Sequence, residues 1–232
     1  MADLRFALLN ASFNGEGSSR NFRRDLPVPV DEYDVKGGEL PHDYDVTAAV
    51  VTGSKASAYW DEPWIDSLRT WIREADARDV PLLGICFGHQ ILADALGGTV
   101  SDMDEYELGY REIEHDGEDP LFEGIDRRFT AFTTHHDEVA ELPPGARVTA
   151  RNDYAIQGFR RGSAFGVQFH PEFDRETAQR ATENKDLPAE RLQPVLDGIT
   201  AANERAAEPA KGVFENFRRV VAQRRSPTPA DD

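Results

Sequence analysis

One cysteine, Cys86, stands in a chain of 232 residues. That scarcity excludes an intrachain disulfide and a multi-cysteine zinc site. Lysine is nearly as rare: of 26 basic residues only Lys36, Lys55, Lys185 and Lys211 are lysines. Acids outnumber bases 43 to 26, and the net charge of −17 leaves no basic footprint for binding along a phosphate backbone. No apolar run approaches the roughly 18 residues a membrane helix needs; the best, Val80 to Leu96, is interrupted by His89, Gln90 and Asp94. No basic segment leads into an apolar stretch at the N-terminus, so no secretory signal is expected. These absences predict a soluble, cytoplasmic protein without nucleic-acid or membrane partners. An Asp-rich acidic surplus repels itself unless salt shortens the screening length, from about 8 Å at physiological strength to about 3 Å at 1 M. A halophilic, salt-loaded cytoplasm is therefore the expected setting.

Hydrophobic residues make up 39% of the chain, enough for a core, and the length suits one domain. Apolar runs of strand length alternate with segments of helical period, which predicts an α/β fold. The expected architecture is an open, mostly parallel twisted sheet with helices on both faces and a helical C-terminal extension. Strands are expected at Leu4 to Leu9, Val28 to Val35, Val46 to Thr52 and Val80 to Cys86, with a Gly/Ser/Asn loop from Asn10 to Ser19. A helix capped by Asp61, with Pro63 in its first turn, should carry Ile65, Leu68, Trp71 and Ile72 on one face. A second helix follows Cys86 and stops at Gly97-Gly98. Five shorter strands are expected at Tyr110 to His115, Phe129 to Thr134, Ala146 to Arg151, Ala155 to Arg160 and Ala164 to His170. The chain should then be helical from Phe173, ending in an amphipathic stretch from Val213 to Val221. As domains, this gives one unit over 1–225, with a helical insertion at 174–211, and a disordered tail at 226–232.

The strongest chemical signal is Gly84-Ile85-Cys86-Phe87-Gly88, a G-x-C-x-G at an expected strand-to-helix junction. In the equivalent serine motif the nucleophile sits on a strained turn that lifts it clear of the sheet. Side chains at the glycines would collide with the neighbouring strand and helix. A sulfur at a helix start lies near its partial positive charge, which favours the nucleophilic thiolate. A cysteine nucleophile needs a base, and the base an orienting acid. Gln168-Phe169-His170-Pro171-Glu172 offers both at a strand end. Residues two apart on a strand share a face, so Glu172 can reach a ring nitrogen of His170, and Pro171 holds His170 extended.

GICFGHQ followed by GVQFHPE is similar to the class I glutamine amidotransferase family. Phe214-Glu215-Asn216-Phe217 resembles that family's closing helix. The resemblance implies that Cys86 attacks the side-chain amide of glutamine, that His170 shuttles the proton and that Glu172 holds the imidazole. It implies no cofactor. The N–H of Phe87 is one natural oxyanion donor and Gly53, in the turn Val51-Thr52-Gly53-Ser54, the other. Gln90 matches a family position that contacts the substrate's amino-acid end. Thr134-His135-His136-Asp137-Glu138-Val139 resembles a segment of the glutaminase part of GMP synthetase and is expected to be a loop framing the pocket through His135 and Asp137. A metal site from His135, His136 and Asp137 is disfavoured, because adjacent strand residues point to opposite faces. His89 and His42 are left as packing or surface residues.

No nucleotide-binding motif is present, so an amidotransferase of this kind would pass ammonia to a separate synthetase subunit, for which a GMP-synthetase-like protein is the candidate. Leu9-Asn10-Ala11 lacks the start associated with that glutaminase subunit. Two other readings stay open: a stand-alone γ-glutamyl peptidase using the same triad in a pocket that admits a bulkier amide substituent, and a redox-sensing or binding protein that uses Cys86 alone.

Overall fold

Four short, buried strands set the frame. In the computed structural model, which describes residues 4–13 and 16–225, β1 (Phe6–Asn10), β3 (Ala49–Val51), β4 (Leu82–Ile85) and β9 (Ala164–Val167) consist of buried residues. Strands buried on both faces need apolar side chains at every position, which is why these read as continuous runs. With β2 (Val30–Asp34) at the edge they form the parallel half of one nine-stranded sheet, in the order β2-β1-β3-β4-β9. The sheet continues antiparallel through β8 (Ile156–Arg161), β7 (Arg147–Arg151), β5 (Thr99–His115) and β6 (Arg128–Glu141).

Alternation along β1 sends Phe6 and Leu8 to one face and Ala7 and Leu9 to the other. On the first face α1 (Glu16–Asp25) contributes Phe22, and the last helix, α7 (Gly212–Arg225), contributes Phe214 and Phe217. Phe217 meets Phe6 and Phe165 edge-on at 5.5 and 5.9 Å, which closes that core. The second face is covered by α2 (Pro63–Ala77), through Ile65, Leu68, Trp71 and Ile72, and by α3 (Phe87–Ala95). Between β9 and α7 run α4 (Arg175–Glu183), α5 (Ala189–Gly198) and α6 (Ala201–Ala207), the helices expected over 174–211. The α/β architecture, with helices on both faces and at the C-terminal end, is as expected. No helix among the described residues is long and apolar enough to cross a membrane.

Several local expectations are corrected. α1 begins at Glu16, inside the stretch read as loop; it is strongly polar, and its buried side carries Ser19 and Asn21 beside Phe22. The cap of α2 is Glu62, without a side-chain bond, rather than Asp61; Pro63 does occupy the first turn. β5 starts at Thr99 rather than Tyr110, because its acidic first half pairs with β6 although its composition suggests a loop. β6 runs to Glu141, so His135 to Asp137 lie in a strand and not in a loop. Opposite them β5 bulges: Asp102 pairs with Asp137 and Glu107 with His135, so residues 103–106 loop out. Residues 226–232, the expected tail, lie outside the described residues.

Candidate active site

Ser12, Gly53, Cys86 and His170 follow the carboxyl ends of β1, β3, β4 and β9, the edge where open α/β sheets hold ligands. Cys86 has φ 54° and ψ −106°, a conformation that non-glycine residues rarely adopt, and it caps α3. Two glycines enforce this bend. A Cβ on Gly84 would lie 2.2 Å from the carbonyl oxygen of Gly88, and one on Gly88 would lie 2.2 Å from the carbonyl oxygen of Val51. The Cys86 N–H donates to the Val167 carbonyl at 2.9 Å, which locks the elbow to β9. Its sulfur lies 4.0 Å from the carbonyl of Thr134 on β6.

β9 ends at Val167, but the chain continues alongside β6, and the His170 N–H donates to the Phe132 carbonyl at 2.8 Å. The His170 ring stacks on Phe173 at 4.1 Å, and its Nδ1 lies 2.8 Å from Glu172 Oε1. With Nδ1 engaged by Glu172, Nε2 is the ring nitrogen left for a reacting group, and Cys86 and His170 line the same cavity. Burial opposes charge on this ring, yet the negative charge and hydrogen bond of Glu172, with the neighbouring Cys86, override it and push the imidazole up to about 10. Gly53 packs against the same ring: a Cβ there would sit 2.9 Å from His170 Cε1 and 3.7 Å from Cys86 Cβ. Arg24 of α1 donates to the Glu172 carbonyl at 2.8 Å and pairs with Asp174, tying the acid's backbone to the N-terminal half.

Two cavities meet at Cys86. One, of about 180 Å³, is lined by Gln90, Tyr106, His135 and Asp137. There Gln90 Nε2 donates to the Asp137 carbonyl at 2.9 Å, and Tyr59 donates to Asp137 Oδ1 at 2.9 Å. His135 lines the cavity with both ring nitrogens engaged: Nδ1 is 2.9 Å from the Asp137 carbonyl and Nε2 is 2.7 Å from Glu107 Oε2. Its geometry is that of a brace for Asp137. Glu107, fully buried, also accepts from Asn152 and Gln157. Because His135 turns inward, it does not join His136 and Asp137; the residue whose ligand atom approaches theirs is Asp102. His89 proves to be fully buried against Phe159 and Gly166, with neither ring nitrogen hydrogen-bonded. Burial holds its imidazole down to about 3.

The second cavity, of about 100 Å³, is lined by His170 and Glu172 together with Ser12, Lys55, Arg180 and Lys185. None of those last four was singled out from sequence. The scarcity of lysine is a signal that could have found two of them, since half of the chain's lysines flank its one cysteine.

The description "Glutamine amidotransferase class-I" belongs to the family model that matches residues 23–187. A glutamine-hydrolysing GMP synthase of Thermomicrobium roseum is 36% identical over 141 residues, which cover 60% of this chain and 26% of that protein. One subunit of the glutamine-hydrolysing GMP synthase of Thermococcus kodakarensis is 41% identical over 100 residues, covering 42% of this chain and 53% of its own length. The chain thus spans about a quarter to about half of the length of these relatives. In fold it resembles a glutamine amidotransferase from Thermotoga maritima, with a TM-score of 0.77 at 23% identity over 94% of this chain and 99% of that one. One from Methylobacillus flagellatus has a TM-score of 0.79 at 21% identity, with 99% of both chains covered. The family match spans well over half of the sequence, from α1 through the Cys86 elbow and the His170–Glu172 pair to the end of α4: the chain belongs to the class-I glutamine amidotransferase family.

Proposed function

We propose that Cys86 hydrolyses the side-chain amide of glutamine, with His170 as the proton carrier and Glu172 as its orienting acid. The observation that carries this reading is the strained Cys86 elbow sharing one cavity with an imidazole whose Nδ1 is held by Glu172. The sulfur attacks the γ-carbonyl carbon, His170 protonates the departing nitrogen, and ammonia leaves a γ-glutamyl thioester. Water, deprotonated by the same imidazole, then releases glutamate and restores the thiol. Oxyanion donors are worth two to three orders of magnitude in rate. The Phe87 N–H in the first turn of α3 and the Gly53 N–H after β3 are assigned that role. Gln90 and Asp137 receive the amino-acid end in the cavity of about 180 Å³, where the Asp137 carboxylate suits the α-ammonium group. His135 holds Asp137 in place.

The ammonia is delivered to a separate synthetase subunit of the GMP synthase type, as the likeness to the Thermococcus kodakarensis protein supports. The acidic surplus supports a salt-rich cytoplasmic setting. Incubation with glutamine tests the reaction: glutamate and ammonia are expected in equal amounts, with loss of both after Cys86 is alkylated by a glutamine-mimicking electrophile. Glutamate release that survives complete labelling of Cys86 would overturn the mechanism. Mixing the chain with the synthetase subunit of a GMP synthase tests the partner: glutamine should then replace ammonia as the nitrogen source.

A further inference from the structure

Glutamine is a zwitterion. Asp137 answers its α-ammonium group, which leaves the α-carboxylate without a counter-charge. A carboxylate drawn out of water needs a cation or several donors. The cavity of about 180 Å³ that holds Gln90 and Asp137 offers two lysines, Lys55 and Lys185. The two differ in setting. Lys55 follows the Gly53 turn and is exposed, whereas Lys185 is half-buried in the turn between α4 and α5. The Lys185 N–H closes that turn by donating to the Thr182 carbonyl at 3.1 Å.

Lys185 is also the one that is held. Its ammonium lies 4.9 Å from the centre of the Tyr106 ring, which attracts a cation over its face. The Tyr106 hydroxyl is 3.3 Å from Thr134 Oγ1, and the Thr134 carbonyl lies 4.0 Å from the sulfur of Cys86. The same ring stacks on His136 at 5.6 Å, and His136 Nε2 lies 3.7 Å from Asp137 Oδ1. Tyr106 thus touches both ends of one charged wall. Among the described residues the ion pairs of lysine are those of Lys211, so Lys185 has none, not even with its exposed neighbour Asp186. Asp137, 2% exposed, pairs with no lysine or arginine. A half-buried cation and a buried anion therefore line one cavity without pairing with each other, and a ligand carrying both signs satisfies both.

We infer that Lys185 binds the α-carboxylate of glutamine, which makes the helical segment over 174–211 part of the substrate site. The inference rests on the glutaminase reading above and deepens it: Lys185 sorts amides by what their α-carbon carries. Cys86 and His170 act on one end of the molecule, while Asp137 and Lys185 hold the other. Lys185 takes no part in the bond changes at the γ-carbonyl. Its contact is the same before and during the reaction, so its loss raises KM and leaves kcat in place. Tyr106 is the positioning residue, because it keeps a long, flexible side chain at the cavity wall.

The test follows ammonia release by the full chain from glutamine and from glutamine α-amide, which keeps the γ-amide and the α-ammonium but lacks the carboxylate and yields isoglutamine. The expected result is a kcat/KM for glutamine at least about tenfold above that for the α-amide, the scale of a charge-assisted contact, with the difference in KM. Lys185→Gln should bring that ratio near one by raising KM for glutamine, Lys185→Arg should keep most of it, and Lys55→Gln should leave it in place. Protection of Cys86 from alkylation by each amide gives the same ranking from binding alone. Should Lys185→Gln fail to fold, the wild-type and Lys55→Gln ratios decide, since Lys185 is then the lysine left in the cavity. A wild-type ratio near one, or a ratio that survives Lys185→Gln, would overturn the assignment and leave the glutaminase reading standing. Absence of ammonia from both substrates, with Cys86 unlabelled by a glutamine-mimicking electrophile, would overturn both.

Discussion

The two halves of the sheet solve opposite problems. The parallel half buries almost nothing polar within its strands, and its chemistry is confined to their carboxyl ends, where backbone geometry presents Cys86 and Gly53. The antiparallel half buries Glu107, His115, His135 and Gln157 in the body of its strands. Such groups are stable only when paired: Glu107 accepts from His135, Asn152 and Gln157, and Asp119, in the turn after β5, is held by Arg147. One half positions Cys86 through backbone strain, the other holds His135 and Asp137 through a hydrogen-bonded network. His170 stands on the seam, its backbone bonded to β6 and its chain emerging from β9.

Mutations separate the two. The largest effect is expected from Cys86→Ala, which should lower glutamate release by on the order of 10⁴-fold or more and leave no thioester by mass spectrometry. Glu172→Gln should retain slow, measurable turnover above that level; equal residual rates would contradict their division of labour. Gly53→Ala tests placement without removing a reacting group. Its new methyl would meet His170 Cε1 at 2.9 Å, and the ring is pinned by Phe173 and Glu172. A kcat loss of about 100-fold with an unchanged melting curve is expected, the scale of an ångström-sized misplacement. In the antiparallel half, Glu107→Gln should instead act on stability, costing about 1–3 kcal/mol in a denaturant titration, because it turns one of the two oxygens that accept from His135, Asn152 and Gln157 into a donor.

The last effect, absent at neutral pH and growing as pH falls, concerns His89. Its imidazole is held near 3 in the fold and returns to about 6.5 when unfolded, so the unfolded chain takes up the proton first. Stability from this group is complete above pH 6.5 and declines by about 1.4 kcal/mol per unit as pH falls toward 3. His89→Leu should flatten that part of the curve relative to the wild type, measured by melts from pH 7 to pH 4. An unchanged slope would mean that the ring escapes burial.

The parallel half was open to reading from sequence for a physical reason. Continuous apolar strands, helical spacing and a glycine-flanked cysteine each signal one local structure. Gly84 and Gly88, expected to be needed for clearance, do face backbone oxygens at 2.2 Å. The antiparallel half hid its organisation because its pairing is set by distant partners. Tyr106-Glu107-Leu108 looks like the end of an acidic loop until His135 is placed opposite. α1 was invisible for a related reason: it is held by Phe22 and by Arg24 and Asn21 reaching residues about 150 positions away. The contact between His170 and Glu172 was legible from their spacing, whereas Arg180 and Lys185 near the same sulfur come from α4 and its following turn, which no local pattern links to it.

The left-handed torsion at residue 86 has an evolutionary corollary. A side chain bearing a β-carbon is held there against its own preference, at about 1–3 kcal/mol. Cys86→Gly should therefore melt above Cys86→Ala although both are inert. Any drift toward a tougher scaffold at this position discards the reagent, so the fold is kept slightly weaker than its backbone would allow.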